Sequence, residues 1–175
     1  MDVVYCSHTG FTREYAQLLG RAEKLRVFSL EEAGYQLEPG SEVFFLGPLM
    51  AGTITGLRAA QKRFCVLGAC GVGMSPPAPQ VLETLARRNG TGDLPLFYLQ
   101  GGWAPDRVGW LRCHGVQWVT RSLRRQLEEK GEGRTPEEQI QLEFLIRGGS
   151  FVRPENLRPI RDWLAAGGGP TGTAP

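Results

Sequence analysis

Five short apolar runs, spaced so that a helix fits between most neighbours, constrain this chain more than any other feature. They are Val3-Val4-Tyr5-Cys6, Leu25-Arg26-Val27-Phe28, Val43-Phe44-Phe45-Leu46, Phe64-Cys65-Val66-Leu67 and Leu94-Pro95-Leu96-Phe97-Tyr98-Leu99. The third is apolar on consecutive residues, so both of its faces must be covered. Between the runs, apolar residues recur at helical spacing: Phe11, Tyr15, Leu18 and Leu19 before Gly20, and Val81, Leu82, Leu85 and Ala86 after the Pro-rich stretch 76–79. Residues 53–62 read as a short helix, and 31–41 as a polar connection ending in Pro39-Gly40. Strands that alternate with helices form a parallel sheet covered on both faces. The expectation is therefore an α/β, three-layer domain with a five-stranded sheet.

Beyond residue 105 the pattern changes. A long helix is expected over 106–130, with Val108, Leu111, Val119, Leu123 and Leu127 inward and Arg107, Arg112, Arg121, Arg124 and Arg125 outward. Thr135-Pro136-Glu137-Glu138 has the order of a helix start: an N-cap hydroxyl, Pro at the first position, acids in the first turn. Ile140, Phe144 and Leu145 form the expected buried stripe, and a last helix covers about 155–165. The Gly-rich end, 166–175, reads as a disordered tail. At 175 residues, one domain over 1–165 is expected.

Charge and cysteine content narrow the function classes. Twenty basic and eighteen acidic residues give +2, which is no electrostatic footprint for nucleic acid. There is no stretch of 18 apolar residues for a transmembrane span and no basic-then-apolar leader at residue 1. Cys6, Cys65, Cys70 and Cys113 form no CxxC pair, and His8 and His114 stand at no zinc spacing, so no metal site is expected. The reading is a cytoplasmic protein with reduced thiols.

In an open parallel sheet, ligands bind beyond the carboxyl ends of the strands, at the point where strand order reverses. The unusual loops fall there, at 7–12, 47–53, 68–76 and 100–106. Ser7-His8-Thr9-Gly10-Phe11-Thr12 sets three hydroxyls and a Gly between a strand and a helix, a combination suited to a phosphate. One hydroxyl is enough for an ordinary N-cap; three are more than a cap needs. Gly68-x-x-Gly71-x-Gly73 is not a dinucleotide fingerprint, because its glycines stand in the wrong order. A receiver domain is set aside because Gly47-Pro48 stands where its aspartate would be. No general acid, base or nucleophile constellation stands beside the loops. Cys6 reads as packing and His8 as solvent-facing.

Tyr5-Cys6-Ser7-His8-Thr9-Gly10-Phe11-Thr12 resembles the flavodoxin signature, a strand, then S/T-x-T-G-x-T, then a helix. Gly47-Pro48-Leu49-Met50-Ala51-Gly52 resembles the second flavin loop of that superfamily. Gln100-Gly101-Gly102-Trp103 and Phe151-Val152-x-Pro154-Glu155-Asn156-Leu157 resemble segments of the flavodoxin-domain group related to menaquinone-dependent protoporphyrinogen oxidase. The resemblance covers the chain to about residue 165. It implies a flavodoxin-like fold with strand order 2-1-3-4-5, extra C-terminal helices and one non-covalent FMN. It further implies that Ser7, Thr9, Gly10 and Thr12 hold the phosphate, with His8 and Phe11 giving backbone N–H groups. Pro48, Leu49, Met50, Ala51 and Gly52 would face the flavin ring, and Cys70, Gly71 and the Gly101–Trp103 segment would close its other side. Flavodoxins commonly flank the ring with aromatics; this second loop offers Met50 instead.

The implied function is an FMN-dependent oxidoreductase with a quinone or porphyrinogen as partner. A simple electron carrier is one alternative, and a flavin-free regulatory phosphate-binding module is another. The some sixty residues after the fifth strand favour an enzyme or a dedicated partner over a simple carrier. Trp103, Trp110 and Trp118 are either core or a wall near the ring, and the Arg series either a solvated face or a patch for peripheral membrane contact.

Overall fold

The computed structural model describes residues 1–89, 92–104, 122 and 124–168. It divides into two compact units, Met1–Gly101 with Val152–Pro175, and Gly102–Phe151.

The first unit is an α/β structure built on a mostly parallel sheet. Its elements are β1 (Asp2–Tyr5), α1 (Phe11–Glu23), β2 (Val27–Ser29), α2 (Leu30–Gln36), β3 (Glu42–Met50), β4 (Thr53–Ile54), α3 (Leu57–Arg63), β5 (Cys65–Gly73), α4 (Pro79–Asn89) and β6 (Leu96–Gln100). The strands lie in the order β2-β1-β3-β5-β6, all parallel, with β4 antiparallel to β3. The expected five-stranded sheet is thus corrected to six. The added strand exists because β3 does not stop at Gly47-Pro48. It continues to Met50 and turns back on itself, pairing Leu49 with Ile54 and Met50 with Thr53. The turn residues Ala51 and Gly52 both have positive φ, 48° and 81°, as a two-residue type I′ hairpin requires.

The apolar runs are buried on both faces, as their composition demands. On one face Val4, Val43, Phe45 and Ala69 pack with Ala33 of α2, Leu57 and Ala60 of α3 and Leu85 of α4. The other face carries an aromatic group in which Phe44, Phe97 and Trp163 have ring centroids 5.5–5.8 Å apart. Trp163 comes from the closing helix α6 (Arg158–Ala165), which follows a 3₁₀ turn at Pro154–Leu157. Leu157 and Ile160 are fully covered.

Three local readings change, the first being the helix expected over 53–62, which begins only at Leu57 because Thr53 and Ile54 form β4. Residues 30–36 are a helix, closed by a capping box in which Ser29 Oγ accepts from Glu32 N and Glu32 Oε2 accepts from Ser29 N. The alternation there is too short to show, because Ala33 is the one residue of α2 that is buried. Gly20 does not end α1, which runs to Glu23 with Lys24 as its left-handed cap. A Cβ at Gly20 would stand 2.2 Å from Val27 Cγ2, so this Gly lets the helix lie against β2.

The second unit contains β7 (Gly102–Trp103), antiparallel to β8 (Gly149–Ser150), helical residues 124–129, and α5 (Pro136–Arg147). Thr135 caps α5 as expected, and Glu138 completes a capping box with it. The stripe is corrected: Leu142 and Leu145 pack with Leu127, whereas Ile140 points to solvent. Arg124 and Arg125 pair with Glu128 and Glu129, one turn on, as a solvated helix face does. Trp110, Trp118, Arg107, Arg112, Arg121, most of the long helix expected over 106–130, and 169–175 of the expected tail lie outside the described residues. Among the described residues, no helix is long and apolar enough to cross a membrane.

Candidate functional site at the carboxyl edge of the sheet

The loop after β1 opens on Cys6, whose N–H continues the strand by donating to Leu46 O. Ser7 then closes a turn, its Oγ accepting from Gly10 N at 3.2 Å. Gly10 is the N-cap of α1 at φ 98°, a left-handed position that suits Gly, and it gives the helix no side-chain cap. The helix ladder begins with Glu14 N donating to Gly10 O. The N–H groups of Phe11, Thr12 and Arg13 precede that rung and have no partner within the helix. By contrast α2 and α5 are both sealed by full capping boxes. Ser7, Thr9 and Gly10 are half-buried and His8 is exposed. Phe11 is buried, and Thr12 is only 3% exposed, so the reachable hydroxyls are those of Ser7 and Thr9.

Strand pairing brings the other loops beside this one. Tyr5 is level with Leu46, and Pro48 with Val72. A Cβ on Gly101 would stand 2.8 Å from Val72 Cγ1 and 3.3 Å from Phe11 Cβ, and Gly101 N donates to Gly73 O. The ends of β5 and β6 thus meet the first residue of α1.

Successive residues of a strand face opposite sides. Pro48 and Met50 therefore share the face of Phe44 and Leu46, the α1 side of the sheet. Leu49 packs on the opposite side, with Phe45 and Leu85. There the hairpin, the loop after β5 and α4 border an open cavity of about 450 Å³. Leu49, Ala51 and Gly52 line it from the hairpin, and Met74 and Ser75 from the loop. Gln80, Val81 and Thr84 of α4 complete it with Tyr98 of β6.

The remaining expected site residues fall elsewhere. The loop after β5 starts at Met74 and not at Gly68, because β5 continues to Gly73. Cys70 is inside that strand with 0% exposure, and burial drives its thiol pKa far up, so it stays protonated and covered. Gly71 is buried beside it. Trp103 belongs to the second unit. It is 7% exposed, and its Nε1–H donates to Leu145 O at 3.0 Å, the pattern of a packing anchor.

Four polar residues given no site role by the sequence hold these loops. Asn89, 8% exposed, fixes the hairpin to α4. Its Oδ1 accepts from Ile54 N at 2.8 Å, and its Nδ2 donates to Gly52 O and Leu85 O. Tyr98 Oη donates to Ser75 O, and Gln100 Nε2 donates to Met74 O. Tyr15 Oη donates to Gln100 O at 2.6 Å. Burial raises the Tyr15 phenol pKa, and burial first, then the nearby Cys70, pushes Tyr98 up to about 12. Both phenols are neutral donors at ordinary pH. No local sequence pattern announces such residues, since each acts on backbone far away in the chain. Among the described residues, no group of three His, Cys, Asp or Glu side chains gathers to hold a metal.

Scans of protein-family models, of curated proteins and of solved structures each returned no match to this chain.

Proposed function

We propose that the first unit is a flavodoxin-like domain binding one FMN, and that the protein is an FMN-dependent oxidoreductase acting between an electron donor and a quinone- or porphyrinogen-type acceptor. The observation that carries this reading is the start of α1. An uncapped helix N-terminus follows a hydroxyl-bearing turn beside the junction of β1 and β3, where strand order reverses. That is where a phosphate gains from both aligned N–H groups and the helix dipole. The residues fit the group: Ser7 and Thr9 offer hydroxyls, and Gly10 leaves the approach clear of a side chain.

FMN, when bound, supplies the redox chemistry. This chain's residues bind and orient it. Ser7, Thr9 and the first backbone N–H groups of α1, at Phe11 and Thr12, hold the phosphate. Pro48 and Met50, on the same face of β3 as α1, support the ring. Ala51, Gly52 and Leu49 turn toward α4 and serve the hairpin's other side. Neither Cys70 nor Trp103 is assigned a flavin contact, because one is fully covered and the other is anchored to Leu145.

The test is the purified protein's visible spectrum, followed by the mass of the flavin released by heat. A yellow protein releasing FMN is expected; released FAD overturns the choice of cofactor. A protein that stays colourless after incubation with FMN overturns the flavin reading and leaves a phosphate-binding module.

A further inference from the structure

We infer that the cavity between the β3–β4 hairpin and α4 is a second ligand site, taking an uncharged, mostly apolar aromatic molecule with a polar edge. It lies on the face of the hairpin opposite Pro48 and Met50, and it stands independently of the flavin reading.

The cavity is built, not left over. Its volume, about 450 Å³, is within the range of small-molecule sites. Both walls are pinned by buried or half-buried side chains that bond to backbone groups. Asn89 holds Gly52 O and Ile54 N on the hairpin side. On the other side Tyr98 and Gln100 hold Ser75 O and Met74 O. These bonds fix the two loops at a set separation, so the space is preformed and binding costs little loop ordering.

The lining defines the ligand. Leu49, Val81 and Met74 give an apolar floor, and no lining residue is charged. A charged ligand would find no ion-pair partner among these lining residues. Gln80 and Thr84 supply an amide and a hydroxyl from the α4 side, suited to a hydroxyl or carbonyl on the ligand's edge. Ala51 adds a second indication. A type I′ turn favours Asn or Gly, yet position 51 is Ala at φ 48°. Left-handed backbone is costly for a residue with a Cβ, and such strain concentrates at ligand-holding positions. Ala51 keeps the tip small and without a polar side chain where it borders the cavity.

The test uses 2-naphthol and 2-naphthalenesulfonate, alike in ring and opposite in charge state, titrated into the full chain by calorimetry. 2-Naphthol is expected to bind at least about tenfold tighter than the sulfonate. Thr84→Trp, which fills the cavity from a partly exposed helix position, should weaken naphthol by about tenfold or more while FMN affinity and the circular-dichroism spectrum stay unchanged. Gln80→Ala, on an exposed site that cannot unfold the core, should weaken naphthol about three- to tenfold. The inference is overturned if the sulfonate binds as well as the naphthol, if Gln80→Ala leaves naphthol affinity unchanged, or if a folded Thr84→Trp binds naphthol normally. It is also overturned if Thr84→Trp or saturating naphthol displaces FMN, since the cavity would then belong to the flavin. A chain that binds naphthol but no FMN supports this site and removes only the flavin reading.

Discussion

Asn156 Nδ2 donates to Tyr15 Oη at 2.7 Å, across 141 positions of sequence. Tyr15 in turn donates to Gln100 O, and the Gln100 side chain donates to Met74 O. One chain of hydrogen bonds therefore runs from the 3₁₀ turn at 154–157, through α1, to the loop after β5. Tyr15 is completely buried, so removing its hydroxyl takes a donor from Gln100 O and an acceptor from Asn156 Nδ2. Tyr15→Phe should destabilise the first unit by about 1–3 kcal/mol. At about 2–4 °C per kcal/mol for a chain of this length, melting should fall by several degrees. An unchanged midpoint would mean that water replaces the hydroxyl.

The Asn89 clamp gives a larger effect. Asn89→Ala strands the N–H of Ile54, a residue only 2% exposed, and frees Gly52 O. A loss of about 2–4 kcal/mol is expected, because three hydrogen bonds and a buried contact go together. Urea unfolding checks it, and Asn89→Asp should recover only the bond accepted from Ile54.

Ala51 offers a change in the opposite direction. Ala51→Gly relieves the left-handed backbone and should stabilise the chain by about 0.5–1 kcal/mol, the relief exceeding the entropy that Gly adds to the unfolded chain. A lower midpoint for Ala51→Gly would show that the hairpin tip is not strained.

Thr9 tests the phosphate loop. A hydroxyl bond to a charged group is worth about 1.5–3 kcal/mol, so Thr9→Ala should weaken FMN by about ten- to a hundredfold and leave riboflavin affinity nearly unchanged. Equal losses for both ligands would move the phosphate off this loop.

Alkaline pH should destabilise the fold through its phenols. Tyr98 titrates at about 12 in the folded chain and near 10 when unfolded, so the folded state holds its proton longer. Its contribution is complete below about pH 10 and is lost as pH rises toward about 12. Tyr15, also raised by burial, acts in the same direction. Denaturant midpoints measured between about pH 9 and about pH 12 should fall, and less steeply in Tyr98→Phe. A slope unaltered by that substitution would assign the effect to other groups.

Trp103 anchors the second unit through one directed bond. Trp103→Phe keeps most of the buried area and removes the donor to Leu145 O, so a cost of about 1–2 kcal/mol is expected in that unit. Near-ultraviolet circular dichroism during unfolding checks it.

The sequence by itself determined the alternation of strands and helices, because short consecutive apolar runs such as Val43–Leu46, bounded by Gly and Pro, read as strands covered on both faces. It also determined the cap at Thr135, since a cap acts within three or four residues. Tertiary structure alone decided the rest. Pro48 ends many strands, yet here β3 passes through it because β5 lies alongside and Ile54 folds back to pair with Leu49. Whether a residue such as Cys70 belongs to a loop or to a covered strand depends on how far its neighbours extend. The clamps at Asn89, Tyr98, Gln100, Tyr15 and Asn156 join groups 4 to 141 residues apart. A side chain that satisfies distant backbone leaves no periodicity in the sequence, so only the fold reveals what it holds.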